Sequence, residues 1–163
     1  MTKTVLLDGN IYNRLDTDPG TRSKLQQLIA AGAVRVIATP VLVDELTASP
    51  FGGLPNWFPV EVEAESTSVL GYARLGMARL GEGDIYTKHR GDSRKIPDAI
   101  IADSAHSLAD VLVSDDRRCR QRLAYLSSQC ISLDYQGFLT WLDQNETLSG
   151  LTRRCTRPAR QLS

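Results

Sequence analysis

The sequence predicts an α/β fold: a single domain with a central, mostly parallel β-sheet flanked by helices on both faces. Three observations carry that expectation. Short apolar runs recur at residues 4–7, 34–38, 111–114 and 131–133. Segments with helical periodicity and helix-end signals separate them, and that alternation favours a parallel sheet covered on both sides. The length, 163 residues with 42% hydrophobic content, suits one compact domain that buries roughly 70% of its unfolded surface.

Residues 4–7 are a β-prone run closed by Asp8-Gly9-Asn10, which suits a strand-to-helix turn. Residues 11–15 and 21–31 read as helices with Pro19-Gly20 between them, and Gly32 ends the second as a C-terminal cap. Residues 34–38 are the second buried strand. Thr39 can cap the following helix, with Pro40 at its first position. That helix carries Val41, Leu42, Glu45 and Leu46 and stops before Pro50. Residues 51–59 hold two glycines, two prolines, Trp57 and Phe58, and read as an ordered loop. Val60 and Val62 suit a short edge strand.

Residues 66–80 are expected to be helical, because Val69, Leu70, Ala73, Met77 and Leu80 fall near one face. Residues 81–95 are polar and glycine-dotted and read as a mobile loop. Pro97 opens a helix to about Ala109, and residues 111–114 form a buried strand. An arginine-rich helix follows over 117–126, then a last strand over 131–133 and a final helix over 136–142.

Lys+Arg 19 against Asp+Glu 19 leaves a net charge of +0, which excludes a generally basic, histone-like binder. Any nucleic-acid contact must come from local basic patches. Cys119, Cys130 and Cys155 are odd in number and lack metal-finger spacing, against both a disulfide framework and a structural zinc site. No apolar run approaches the roughly 20 residues of a membrane span. The segment before Asp8 is too short for a signal peptide's apolar region. These features predict a cytoplasmic protein with no membrane association. Residues 1–145 would form the domain and 146–163 a partly disordered basic tail with Arg153, Arg154, Arg157 and Arg160.

Four acids stand in apolar surroundings. Asp8 ends Val5-Leu6-Leu7, and Asp116 ends Val111-Leu112-Val113-Ser114-Asp115-Asp116. Glu45 shares a helix face with Val41, and Asp98 shares one with Ala102 and Ala105. Each alone has an ordinary explanation as a turn former, a cap, a dipole partner or a solvated side chain. Together they are harder to dismiss. If they converge, each pair about 5 Å apart repels by roughly 3 kcal/mol at an effective dielectric near 20. Protons or cations must then neutralise them. Oxygen ligands without a Cys or His pair select Mg2+ or Mn2+ rather than zinc. A carboxylate-held metal pair is a known apparatus for phosphodiester hydrolysis.

Four segments carry a family resemblance: Val5-Leu6-Leu7-Asp8-Gly9-Asn10-Ile11, Ala38-Thr39-Pro40-Val41-Leu42-Val43-Asp44-Glu45-Leu46, Pro97-Asp98-Ala99-Ile100-Ile101-Ala102 and Leu112-Val113-Ser114-Asp115-Asp116-Arg117-Arg118. In order and approximate spacing, over nearly the whole chain, they resemble the PIN-domain nucleases, in particular the VapC-like toxin branch. The resemblance implies Asp8, Glu45, Asp98 and Asp116 as catalytic, metal-holding acids, with Asn10 and Ser114 as polar supports. Asp115 competes with Asp116 for the fourth place, and the Ser-x-Asp register favours Asp116. The chain departs from the family at Cys119, often an aromatic, and at Gly9, a frequent Thr.

RNA is the substrate class the resemblance implies. Lys88, His89, Arg90, Arg94 and Lys95 lead into Asp98, and Arg117, Arg118, Arg120 and Arg122 follow Asp116, so cations flank the acids and could hold phosphates. A solvated, salt-bridged surface is the competing explanation. Trp57-Phe58 is read as filling a core edge, and His106 as structural. The resemblance also implies a cognate antitoxin protein and a homodimer. Two other readings stand beside it: a non-catalytic PIN-like RNA-binding or assembly module, and a structure-specific DNA nuclease, for which the chain leaves little room.

Overall fold

The computed structural model describes residues 1–64, 96–125 and 129–155. Within them, five strands form one sheet: β1 (Lys3–Leu7), β2 (Val34–Ala38), β3 (Val60–Val62), β4 (Val111–Val113) and β5 (Ile131–Leu133). Their order is β3-β2-β1-β4-β5, and every neighbouring pair is parallel. Six described helices flank the sheet: α1 (Gly9–Thr17), α2 (Pro19–Ala30), α3 (Pro40–Ala48), α4 (Ile96–Leu108), α5 (Arg117–Ala124) and α6 (Tyr135–Cys155). The α/β architecture expected from the sequence is therefore present. The helix expected over 66–80 and the loop over 81–95 lie outside the described residues.

Alternation along the strands builds two cores. Val5, Leu7, Val36, Ala38, Val111 and Val113 face one side, against Ile11, Leu25, Leu42, Phe138 and Leu142. Leu6, Ile37 and Leu112 face the other, against Ala99, Ile101, Ala102 and Ala105 of α4 and Cys119 and Leu123 of α5. Burial on both faces is why residues 5–7, 36–38 and 111–113 read as apolar runs. Trp57 and Phe58 fill a core edge, as expected. Phe58 is buried, and Trp57 packs on Phe51 at 5.8 Å and lies under the Arg22 guanidinium at 4.8 Å.

Several element ends follow local chemistry. Gly32 takes a φ of 70°, and the amides of Gly32 and Ala33 donate to the carbonyls of Ile29 and Leu28, closing α2. Thr39 accepts from the Leu42 amide and starts α3 ahead of Pro40. Pro19 and Gly20 do not separate two helices, as the sequence suggested. They form the first turn of α2, because Asp18 caps it through the Thr21 amide. The last helix is also longer than the expected 136–142. No proline interrupts the chain between Tyr135 and Pro158, so the backbone stays helical past its buried residues Phe138 and Leu142 to Cys155.

The sheet order fixes where a site can form. The chain leaves β1 for β2 on one side, and β4 later joins β1 on the other, which makes the β1/β4 boundary the topological switch point. Leu7 lies level with Val113, and the Asp8 amide donates to the Val113 carbonyl at 2.9 Å. Asp8 and Ser114 therefore emerge side by side at the carboxyl edge of the sheet.

Candidate active site

Three helix N-termini meet above that edge. Asp8 caps α1, accepting from the Gly9 amide at 2.7 Å. Asp116 caps α5, accepting from the Arg118 amide at 2.7 Å. Asp98 lies in the first turn of α4. Each placement sets a carboxylate at the positive end of a helix dipole. Glu45 comes from within α3 and has no such support. All four acids line one cleft of about 330 Å³, together with Gly9, Asn10, Asn13, Leu46, Ser49 and Phe51. Acids 108 positions apart in the chain, Asp8 and Asp116, are brought to one wall by the parallel pairing of β1 with β4.

Asn10 and Ser114 both hold Asp8. The Ser114 hydroxyl and the Asn10 side-chain amide donate to Asp8 Oδ2, at 2.5 Å and 2.8 Å. Ser114 Oγ also accepts from the Asp116 amide at 3.0 Å, and Asn10 Oδ1 accepts from the Asp115 amide at 3.0 Å. The two polar residues thus tie the β1–α1 turn to the β4–α5 turn. Ser114→Ala strips a fully buried hydroxyl and leaves the Asp116 amide without that acceptor. We expect a stability loss of about 1–3 kcal/mol in urea unfolding. A loss under about 0.5 kcal/mol, the range of a surface substitution, would deny Ser114 its bridging role.

The carboxylates press on one another. Burial raises the Asp8 carboxyl above its usual range, opposed by its bonds from Ser114, Gly9 and Asn10, and Asp116 adds to the rise. Burial also raises Asp98, with Arg122 and Arg118 pulling it down and Asp116 and Asp8 pushing it up. Glu45 is pushed to about 7 by desolvation first, then by Asp8 and Asp98. The Glu45 residue as a whole is exposed, but its carboxyl reaches towards the Asp8 turn. A Cβ on Gly9 would meet Glu45 Oε2 at 3.6 Å, an ordinary contact, so a side chain there would fit without a clash.

Asp115 and Asp116 take different roles. Asp115 turns away from the cleft, accepting from the Tyr135 amide at 3.0 Å and from Arg14 Nε at 2.9 Å. Asp116 is the one that lines the cleft.

The arginine row divides in the same way. Arg117 and Arg118 are exposed, whereas Arg120 donates to the Ser114 carbonyl. Arg122 is only 6% exposed and lies 3.5 Å from Asp98 Oδ2, so this residue does not belong to a solvent-facing cationic surface. It shares the inner face of α5 with buried Cys119 and Leu123. The Cys119 thiol, whose pKa is raised by burial and by the neighbouring acids, points at the Asp98 carbonyl at 3.9 Å and stays un-ionised. Lys88, His89, Arg90, Arg94 and Lys95 lie outside the described residues.

Sequence reasoning missed Asn13, Ser49 and Phe51 as cleft walls. Asn13 alone carried a signal, lying one helical turn after Asn10. Arg122 carried one too, at i+3 from Cys119 on the buried face.

Among the described residues, no three Asp, Glu, His or Cys side chains are arranged to hold a metal ion as they stand. Asp8 is turned to Ser114 and Asn10, Asp98 to Arg122, and Asp116 to the start of α5. The donor chemistry nevertheless fits a hard divalent cation. The set is oxygen-only and mutually repulsive, and each carboxylate keeps further lone pairs. No protein-family model matches the chain, and no curated protein matches it.

Proposed function

We propose that the protein is a Mg2+- or Mn2+-dependent endoribonuclease of the PIN type, the cytoplasmic toxin of a toxin–antitoxin pair. One observation carries the reading: Asp8, Glu45, Asp98 and Asp116, singled out from four separate segments, all line one cleft at the switch point of a parallel sheet. A divalent ion bound there would supply an activated water and stabilise the leaving oxygen of a phosphodiester. The chain's own residues would do the rest. Asp8, Glu45, Asp98 and Asp116 would hold the cation, with Ser114 and Asn10 fixing Asp8. A cognate antitoxin protein and a homodimer belong to the same proposal.

Arg117 and Arg118 would hold the RNA backbone beside the acids. They are exposed in the first turn of α5, directly after the Asp116 cap, where cations oppose the helix dipole. Such a placement is easier to understand as an anion contact than as a helix-stabilising choice. For Arg117→Ala with Arg118→Ala we expect weaker RNA binding and a salt slope shallower by about 1.4, two contacts at roughly 0.7 each for a single strand. An unchanged slope would return both to an ordinary solvated surface.

The deciding experiment incubates purified protein with end-labelled cellular RNA and Mn2+, beside EDTA and Asp98→Asn lanes. Discrete fragments only in the wild-type metal lane support the nuclease. The engagement of three of the carboxylates with internal partners favours the second reading, an RNA-binding module without catalysis. RNA retention without fragments, from folded protein with metal present, would select it.

A further inference from the structure

We propose that Arg122 is the built-in counter-ion of the acidic cleft and weakens its grip on divalent cations. The inference rests on the metal-centre reading of the four acids. The four arginines of α5 fall within six residues, yet only Arg122 is buried among the apolar side chains behind the cleft. Position 122 packs beside Cys119 and Leu123, where a Leu or Met would serve packing alone. A guanidinium there keeps its charge permanently, since it does not lose its proton in proteins. Its Nη1 faces Asp98 Oδ2 at 3.5 Å, on a carboxylate that itself opens on the cleft.

Two consequences follow, with opposite signs. Without a cation, one fixed positive charge offsets part of the repulsion among four carboxylates, so the folded cleft is easier to keep. With a cation, Asp98 must be shared between a guanidinium and a double charge. Like charges that close repel strongly in a partly buried setting. The guanidinium also helps by orienting Asp98, but that is one carboxylate of four, whereas the repulsion acts on the ion's full charge. Repulsion therefore wins, and the site is tuned towards weak, exchangeable binding.

The test is calorimetric titration of MnCl2 into full-length wild type, Arg122→Gln and Arg122→Lys, with thermal unfolding of each in EDTA. We expect Arg122→Gln to bind Mn2+ about tenfold or more tightly than wild type and to melt lower in EDTA. Arg122→Lys, which keeps the charge, should stay within about threefold of wild type. Equal or weaker Mn2+ binding by folded Arg122→Gln overturns the inference while leaving the metal centre in place. Wild type that shows no saturable Mn2+ binding overturns both. Should Arg122→Gln be unfolded in EDTA, the counter-ion role predicts that MnCl2 refolds it, because the metal supplies the missing charge. A packing role predicts that it stays unfolded at any Mn2+ concentration, and that result overturns the inference.

Discussion

Asp98→Asn is expected to lower metal-dependent RNA cleavage by at least about a hundredfold while the protein stays folded. The change keeps shape and volume, and the side-chain amide oxygen remains available to Arg122. What it removes is one anionic donor from the cleft. The fold should tolerate this well. Burial, Asp116 and Asp8 all push the Asp98 carboxyl towards its neutral form, against the pull of Arg122 and Arg118, and the net shift is upward. An uncharged isostere therefore relieves more desolvation cost and repulsion together than it forfeits attraction to Arg122 and Arg118, and the melting temperature in EDTA should be unchanged or higher. Asp98 also contributes to the rise at Glu45, so the variant should titrate Glu45 at a lower pH than wild type. Cleavage assays, melting curves and an NMR titration of Glu45 read the three effects separately. Near-wild-type cutting by the variant would remove Asp98 from the centre of the mechanism.

The parts of this fold that the sequence disclosed are those where one local rule decides the outcome. Residues 34–38 and 131–133 are strands with the expected bounds; burial on both faces makes most of β2 apolar, whereas β5 is an edge strand whose Ile131 is exposed. Val60 and Val62 read as an edge strand and pair only with β2. The four acids were legible for a related reason. A carboxylate at a strand end or on an apolar helix face contradicts its surroundings, and the contradiction is visible in a short window. Partners distant in the chain were not legible. Asp115 is drawn from the cleft by Arg14 and by the Tyr135 amide, 101 and 20 positions away. Only the Ser-x-Asp register beside it favoured Asp116, and Asp116 is the one that lines the cleft. Ser49 and Phe51 become cleft walls through the path taken after α3, which composition does not encode. Arg122 was hidden by its charge. Grouped with its neighbours it read as part of a cationic surface, while its spacing from Cys119 assigned it to the buried face.

Glu45→Gln should abolish cleavage as fully as the change at Asp98, and pH is where its effect is distinctive. Asp8, Asp98 and Asp116 each sit at a helix N-terminus, whereas Glu45 stands within α3 and faces Asp8 and Asp98 without that support. Its pKa of about 7 follows from burial first and these neighbours second. Cation binding needs the ionised form, which grows roughly tenfold between pH 6 and pH 8 for a group titrating there. Mn2+ affinity and cleavage should rise together over that range in wild type. Stability of the metal-free protein should move the other way. The folded pKa lies above the ordinary 4.5. Between the two values the folded state therefore holds more protons than the unfolded one, and stability falls as pH rises. The contribution is full below the unfolded value and gone once the pH has passed about 7. In Glu45→Gln that slope should disappear, leaving the variant more stable than wild type at pH 8 in EDTA. Urea unfolding of both proteins in EDTA at several pH values measures it, and identical slopes would show that Glu45 does not carry the repulsion of the cleft. Saturating Mn2+ should then favour wild type at pH 8, because the cation rewards the same ionised carboxylate that the empty fold resists.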